Sequence, residues 1–198
     1  EPEAVLAAGE VFREDALTIG FARRFATYKR SPLIFTDQNR LAKILNDPDR
    51  PVQIVFAGKA HPRDEGGQAF ARRIHRMSQR PEFFGKVVLL EEYDMRIGRE
   101  LTSGCDIWLN NPIRPHEASG TSGMKPPMHL GLNFSILDGW WPEGFDGRNG
   151  WVIHGSPARS GTRARDLADA DSLYEVLENE IIPEFFTRTR RGLPRKWV

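Results

Sequence analysis

The sequence predicts an α/β fold built on a doubly wound parallel sheet. Three observations indicate it: short apolar runs recur along the chain, an amphipathic segment of helical length follows each run, and polar residues gather directly after the runs. Uninterrupted apolar runs are typical of strands buried on both faces, and strands that alternate with helices favour parallel crossovers. We therefore expect ligands at the carboxyl ends of the strands.

The predicted strands share a core of Val, Ile, Leu or Phe, and they cover residues 17–22, 52–58, 86–90 and 105–109. Helical periodicity predicts helices over residues 32–45 (as two short pieces), 65–78 and 95–102. A last long helix is expected around residues 172–186. Residues 138–165 are rich in Gly and Trp, and we expect them to form loops with one strand at 151–154.

These elements divide the chain into a lead-in over residues 1–15, an α/β domain over 16–165 and a helical segment over 166–198. The sequence begins with Glu1 rather than Met, so we expect it to be a piece of a longer protein.

Composition limits the function. The 198 residues are 39% hydrophobic and 28% charged, which is enough to bury the core of one domain. Lys and Arg total 28 against 27 Asp and Glu, so the overall charge favours neither nucleic acid nor a membrane surface, and any anion site must be local. Cys105 is the single cysteine and no apolar run is long enough to span a bilayer. We expect a cytoplasmic protein without an internal disulfide, in which Cys105 is a core residue.

A loop of small residues separates Glu117 from Lys125. If a helix begins near Thr121 or Ser122, the hydroxyls and backbone N–H groups of its first turn can bind a phosphate, with Lys125 just inside the helix. An ordinary capped turn explains the same residues. The spacing alone leaves both interpretations open.

Four cations and a tyrosine follow the first predicted strand, namely Arg23, Arg24, Tyr28, Lys29 and Arg30. We call residues 23–30 the cation turn. Runs of cations usually form solvated faces. A position directly after a buried strand favours an oxyanion pocket instead. The second strand ends similarly in Gly58 and Lys59, where Gly58 allows close approach of another backbone segment.

Four motifs, in this order, resemble those of the glycogen and α-glucan phosphorylases: Arg-Arg-x-x-x-Tyr-Lys-Arg at 23–30, Gly-Lys-Ala-x-Pro at 58–62, Leu-Glu-x-Tyr at 90–93 and Glu-Ala-Ser-Gly-Thr-x-x-Met-Lys at 117–125. The match extends over roughly residues 16–155, and details such as Trp-Leu-Asn-Asn-Pro resemble the shorter bacterial and archaeal branch. The resemblance implies the C-terminal half of a GT-B glycosyltransferase fold, in which the active site lies between two Rossmann-like domains. A missing N-terminal domain would supply the opposite wall, so the chain alone is expected to be inactive.

The resemblance also implies a reaction. Inorganic phosphate would cleave an α-1,4-glucan (glycogen, starch or maltodextrin) to glucose 1-phosphate with retention, and the 5'-phosphate of pyridoxal phosphate would relay the proton. Lys125 would carry this cofactor as a Schiff base, and Arg24 and Lys29 would be catalytic phosphate ligands. The other implied contacts are Arg23, Lys29, Tyr93, Thr121 and Ser122 for the cofactor, and Tyr28, Glu117, Ser119 and Gly120 for the sugar. Pro126 and Pro127 depart from the family pattern, which predicts a late or kinked helix after Lys125.

Two alternatives remain. A nucleotide-sugar-dependent GT-B enzyme, similar to glycogen or starch synthase, often carries a second glutamate eight positions after the first, where this chain has Lys125. A non-catalytic sugar-phosphate-binding domain would not need both the lysine and the paired cations. The five histidines lack the spacing of metal ligands, so no metal is predicted. The expected partners are the glucan, phosphate and the N-terminal domain, with a homo-oligomer compatible with the family.

Overall fold

A computed structural model describes residues 12–155 and 161–197. Its sheet has six parallel strands, β1 (Leu17–Ala22), β2 (Val52–Ala57), β3 (Val87–Leu90), β4 (Ile107–Asn110), β5 (Leu132–Ile136) and β6 (Gly150–Ile153). Their order is β3-β2-β1-β4-β5-β6, so the direction of winding reverses between β1 and β4. The predicted doubly wound parallel sheet is confirmed.

The helices are α1 (Gln38–Leu45), α2 (Glu65–Ser78), α3 (Met95–Gly104), α4 (Trp141–Gly144), α5 (Thr162–Val176) and α6 (Ile182–Phe186), and a π-helical turn (Leu177–Ile181) joins the last two. A 3-10 turn, Ser31–Phe35, precedes α1, as the two short pieces predicted for residues 32–45 require. An aspartate caps the start of each of the first three helices: Asp37, Asp64 and Asp94 accept backbone N–H groups three residues ahead. Within the described ranges, no helix is long and apolar enough to cross a membrane.

The core has two parts because successive side chains of a strand point to opposite faces. The larger cluster includes Leu17, Phe21 and Ile54 from the strands and packs beneath α1, α2 and α5. The smaller cluster lies beneath α3 and contains Val55, Leu101, Cys105 and Trp108. Cys105 is buried there, and burial raises the pKa of its thiol to about 12, as expected of a core residue. A cavity of about 1060 Å³ extends from the face of the sheet that α3 covers toward Phe185 and Trp197, away from the edge where ligands were expected.

Two elements differ from the prediction. The sequence did not predict β5, because the buried side chains of Asn133 and Ser135 interrupt its apolar run. The last long helix begins at Thr162 rather than near residue 172, because its first two turns are mostly exposed and polar and carry no apolar stripe. Residues 1–11 of the predicted lead-in and residues 156–160 of the predicted loop region lie outside the described residues.

Candidate functional site

Three chain segments meet at the carboxyl ends of β1, β4 and β5, which are neighbours in the sheet. They are the cation turn, the segment that leads from β4 to the small-residue loop (residues 117–125), and the turn after β5. Together they enclose a small cavity lined by Arg23, Asn110, Pro112, Glu117, Ser119, Gly120, Ser135, Asp138 and Trp140. The candidate site thus lies at the carboxyl ends of the strands, at the point where the winding of the sheet reverses.

Glu117 is the centre of a largely buried ion-pair cluster. Its Oε2 accepts a hydrogen bond from Nη2 of Arg23 and lies 3.3 Å from Nζ of Lys29. The three side chains, Arg23, Lys29 and Glu117, are only 3%, 10% and 9% exposed. Two cations share one carboxylate, so these three side chains together carry a net positive charge away from water, although the Asp138 carboxyl also lines the adjoining cavity. Buried charges are costly unless they are paired, and this arrangement therefore favours a further anion.

Arg23 also has unused hydrogen-bond donors. Its Nε and Nη1 are buried and have no acceptor among the described residues. Most buried donors in proteins are paired, so these two atoms favour a ligand or an ordered water. The adjoining cavity holds only about 10 Å³, which is room for one water. This cavity is too small for a phosphate ion.

Gly58 holds the start of the cation turn against β2. It has φ +152°, and a Cβ at this position would collide with the carbonyl oxygen of Arg23. Backbone hydrogen bonds from Arg23 N to Ala57 O (3.1 Å) and from Phe25 N to Lys59 O (3.0 Å) continue the pairing beyond the strands. The close backbone approach predicted at Gly58 is present, and it directs Arg23 into the site.

Lys29 and Tyr28 lie on a 3-10 turn, Thr27–Lys29, at the end of the cation turn. The Nζ of Lys29 is 5.1 Å from the centroid of the Tyr28 ring, within the range of a cation–π contact. The Tyr28 ring in turn lies 6.4 Å from the ring of His116, which precedes Glu117. Tyr28 is therefore beside the ion-pair cluster.

Of the two interpretations of this loop, the structure excludes the α-helix that would begin near Thr121 or Ser122, and the late or kinked helix predicted after Lys125 is wrong. Two 3-10 turns, Thr121–Met124 and Pro126–His129, occupy this stretch instead. Gly120 enters the first turn with φ +77°, and the adjacent prolines, which lack N–H groups, cannot continue an α-helical ladder. The loop therefore offers no α-helix N-terminus to an anion.

The small-residue loop rests on polar side chains from β4 and β5. Nδ2 of Asn133 donates to the carbonyl oxygen of Gly123 at 2.9 Å. A Cβ at Gly123 would lie within about 3.0 Å of Asn110 Nδ2, Asn133 Oδ1 and Trp140 Nε1, so only glycine fits this close contact. The backbone N–H of Glu117 donates to Oδ2 of Asp138 at 2.9 Å. These contacts fix the position of the small-residue loop relative to β4 and β5.

The structure brings some predicted site residues together and leaves others apart. Arg23, Lys29 and Glu117 touch, and Ser119 and Gly120 line the same small cavity. The exposed side chains are Arg24, Thr121 and Lys125, and within residues 12–155 and 161–197 none of them makes a hydrogen bond or ion pair. Ser122 has a buried Oγ for which that part of the chain provides no partner.

Tyr93 lies on the α3 side of the sheet, packed against the smaller apolar cluster. A Cβ at Gly98 would come within 2.8 Å of its hydroxyl oxygen, so Gly98 makes room for the ring. Burial raises the pKa of the Tyr93 hydroxyl. This tyrosine is held by α3 rather than by the cation turn or by the ion-pair cluster.

Sequence reasoning did not assign Asp138, Asn110, Ser135 or Trp140 to this site. Asp138 comes shortly after β5, and recognition of that strand would have placed it at the ligand edge. In the described part of the chain, no group of three or more His, Cys, Asp or Glu side chains is arranged to hold a metal ion.

No protein-family model matches the chain. Curated relatives do match it. The maltodextrin phosphorylase of Thermococcus litoralis is 55% identical over 91% of this chain and 22% of its own length. The glycogen phosphorylase of Aquifex aeolicus is 50% identical over 100% of this chain and 28% of its own length, and that of Mycobacterium tuberculosis is 46% identical over 94% and 22%. The chain thus spans about a quarter of the length of these relatives.

Solved structures with the same architecture are more distant. The C-terminal domain of a glycosyl transferase group 1 family protein from Francisella tularensis has a TM-score of 0.59 at 16% identity, over 83% of this chain and 77% of that one. The Anabaena protein HepE, solved in complex with UDP, has a TM-score of 0.58 at 16% identity, over 91% and 43%. At this identity the likeness shows the fold alone, which is the Rossmann-like fold of the C-terminal half of GT-B glycosyltransferases.

Proposed function

We propose that this chain, as a member of the glycogen and maltodextrin phosphorylase family, forms the phosphate- and cofactor-binding part of an α-glucan phosphorylase. The substrates are an α-1,4-glucan and inorganic phosphate, and the product is glucose 1-phosphate. One observation carries the proposal: Arg23 and Lys29 are buried together with one carboxylate between them, and Arg23 keeps two unused donors. The remaining length of such an enzyme would supply the other wall of the cleft.

The cation turn would bind phosphate through both buried and exposed cations. Arg23 has two further N–H donors, at Nε and Nη1, for a phosphate oxyanion, and Lys29 adds a second positive charge within the same buried cluster. Arg24, which is exposed beside them, is available to an anion that arrives from the cleft. Fixed cations act strongly in a site of low dielectric, so they would stabilise the charge that develops as the glycosidic bond breaks.

Pyridoxal 5'-phosphate fits the residues at this edge of the sheet. The Lys125 amine is exposed and uncommitted within the described ranges, and it would hold the cofactor covalently. The unpaired Ser122 hydroxyl and the unused Arg23 donors suit a phosphate ester, with Thr121, Lys29 and Tyr93 as further contacts. When bound, this group supplies a phosphate that passes a proton to and from inorganic phosphate. The chain's own part is to hold both phosphates close together against their mutual repulsion.

The sugar would lie on the other side of Glu117. In the proposed complex, the carboxylate of Glu117, the hydroxyl of Ser119 and the backbone N–H of Gly120 bind glucose hydroxyls, and Tyr28 lies alongside. Ser119 and Gly120 already line the same cavity as Glu117, which supports this grouping. Loss of one such partner would leave a buried polar group unpaired, at a cost of about 1–3 kcal/mol.

The cofactor assignment is tested by trapping. The 198-residue chain is mixed with pyridoxal phosphate and reduced with borohydride, and the modified peptides are mapped. We expect one dominant label at Lys125, which disappears in Lys125→Ala. Lys59→Ala is the matched control, because Lys59 is an exposed lysine that follows β2 at the same edge of the sheet. Labels spread evenly over surface lysines, or a label that survives in Lys125→Ala, would contradict the proposal.

A further inference from the structure

Arg30, the last residue of the cation turn, has an unusual backbone conformation. Its φ of 48° and ψ of 42° place it in the left-handed region, although it is neither glycine nor asparagine. The side chain is also buried, with a relative exposure of 4% for the residue. Non-glycine residues adopt this conformation at a cost, and they keep it only where the surroundings hold them in place.

The side chain of Arg30 connects three segments. Nε donates to the carbonyl oxygen of Asn111 and Nη2 to that of Pro112, both at 3.0 Å. Nη1 lies 2.7 Å from Oδ1 of Asp166 and Nη2 lies 2.7 Å from Oδ2 of Asp169, both on α5. Asn111 returns a hydrogen bond from Nδ2 to the carbonyl oxygen of Arg30 at 2.9 Å.

These contacts hold both partners of the Lys29–Glu117 ion pair. Lys29 directly precedes Arg30, and the backbone N–H of Ile113 donates to the carbonyl oxygen of Tyr28 at 2.7 Å. The segment 111–113 that Arg30 grips is the one that leads to Glu117. A small movement of the Arg30 guanidinium would therefore shift Lys29 and Glu117 relative to each other.

We infer that Arg30 is a positioning residue for the anion site, and that Asp166 and Asp169 of α5 hold it in the required orientation. Its guanidinium fork satisfies two carbonyl oxygens and two carboxylates at once, which a single ammonium cannot do. Arg30 touches neither phosphate nor sugar in the proposed function, on which the functional consequence of this inference rests. It acts by fixing where Lys29 and Glu117 stand.

The chain offers a matched control in Arg40. This arginine of α1 also pairs with acidic residues of the C-terminal helices: its Nη2 is 2.6 Å from Oε2 of Glu178, and its Nη1 is 3.7 Å from Oδ1 of Asp171. It contacts neither the cation turn nor the segment 111–113 by any hydrogen bond or ion pair among the described residues. Arg40→Lys therefore shows how far a weakened arginine anchor to the C-terminal helices changes the two measurements when the site itself is not touched.

The test compares Arg30→Lys, Arg40→Lys and the wild-type 198-residue chain in two measurements. The first is amide hydrogen exchange at Ile113, whose N–H reports the contact between the segment 111–113 and the cation turn. The second is titration with inorganic phosphate, followed by amide chemical shifts. We expect Arg30→Lys to speed exchange at Ile113 at least tenfold and to weaken phosphate binding about tenfold, while Arg40→Lys changes each less than twofold. If Arg30→Lys does not fold, Asp169→Asn replaces it, with both effects expected at about threefold.

Each outcome decides a different claim. Normal exchange at Ile113 in Arg30→Lys, or equal effects in Arg30→Lys and Arg40→Lys, would overturn the positioning role. Faster exchange with unchanged phosphate affinity would also overturn it, because the residue would then be structural only. A wild-type chain that binds no phosphate would contradict the proposed function instead, and exchange at Ile113 would still decide whether Arg30 holds the two segments together.

Discussion

The cation turn and the lysine-bearing turns beyond residue 120 belong to one site, yet they are built in opposite ways. Arg23, Lys29 and Arg30 are buried and held by ion pairs, and two specialised backbone positions, Gly58 and Arg30, shape their turn. Lys125 is exposed, and Leu130, which ends the second 3-10 turn, is 91% exposed. The cations of the turn are thus held in place by other residues of the chain, whereas Lys125 is accessible.

This difference suits the proposed chemistry. Electrostatic stabilisation of a transition state is most effective when the charges are already in place, because no reorganisation then accompanies the reaction. A lysine that receives a cofactor must instead be reachable from solvent. Because the cation turn is buried and Lys125 is exposed, we expect substitutions in the cation turn to lower the stability strongly and substitutions near Lys125 to change it little.

The largest expected effect comes from Glu117→Gln. Removal of the carboxylate leaves Arg23 and Lys29 buried without a counter-charge, so the free energy of unfolding should fall by about 3–5 kcal/mol in phosphate-free buffer. Inorganic phosphate should then stabilise the variant, by about 1.4 kcal/mol at ten times its dissociation constant. Urea denaturation with and without phosphate measures both.

Glu178→Gln is the control for this prediction, because Glu178 pairs with Arg40 at a more exposed position. Its loss should cost no more than about 1 kcal/mol, with no recovery in phosphate. A Glu117→Gln variant that phosphate does not stabilise more than the wild type would mean that phosphate cannot replace Glu117 as the counter-charge of Arg23 and Lys29.

The location of this cluster could be predicted from sequence, whereas its internal arrangement could not. The runs of β1 to β4 are apolar enough to be recognised as strands. The cation turn directly follows β1, so it must lie at the carboxyl ends of the strands, where parallel sheets bind ligands. Which cations are buried depends on the backbone path after β1, where Phe25 still pairs with Ala60, Arg23 is buried and Arg24 is exposed. No sequence pattern distinguishes these two neighbours.

The turns around Lys125 were also harder to predict, because their position depends on contacts with a strand that the sequence does not reveal. Asn133 and Ser135 are buried polar residues that hide β5, and without β5 neither Asp138 nor the support beneath Gly123 can be inferred. The prolines after Lys125 did indicate an irregular helix, and the structure replaces it altogether with two 3-10 turns. The prolines decide the local conformation of this stretch, and the tertiary contacts of Gly123 and Glu117 decide where it lies on the sheet.

Gly58→Ala should have the second largest effect. The added Cβ meets the carbonyl oxygen of Arg23, and alanine is strained at this backbone conformation, so we expect a loss of about 2–3 kcal/mol in the free energy of unfolding. Phosphate binding should weaken as well, because Arg23 is displaced. Urea denaturation and phosphate titration of the folded fraction measure the two effects.

Gly85→Ala is the control that separates the cost of backbone strain from the cost of the steric clash in Gly58→Ala. Gly85 also has a positive φ, +74°, but a Cβ there would meet nothing within 4 Å. The expected cost is about 1 kcal/mol, from backbone strain alone, with phosphate binding unchanged. Equal losses in the two glycine variants would show that the contact between Gly58 and Arg23 does not shape the site.

The smallest effect is expected at Leu130, in the lysine-bearing turns, and it has the opposite sign. Leu130 is exposed and has φ +68°, so Leu130→Gly relieves left-handed strain that slightly exceeds the added entropy of a glycine in the unfolded chain. The free energy of unfolding should rise by about 0.5–1 kcal/mol, measured by thermal denaturation. Leu130→Ala, which keeps the strain and removes only the exposed side chain, should leave it unchanged. A clear loss of stability in both variants would mean that the lysine-bearing turns depend on the Leu130 side chain, and that they are more tightly built than their exposure indicates.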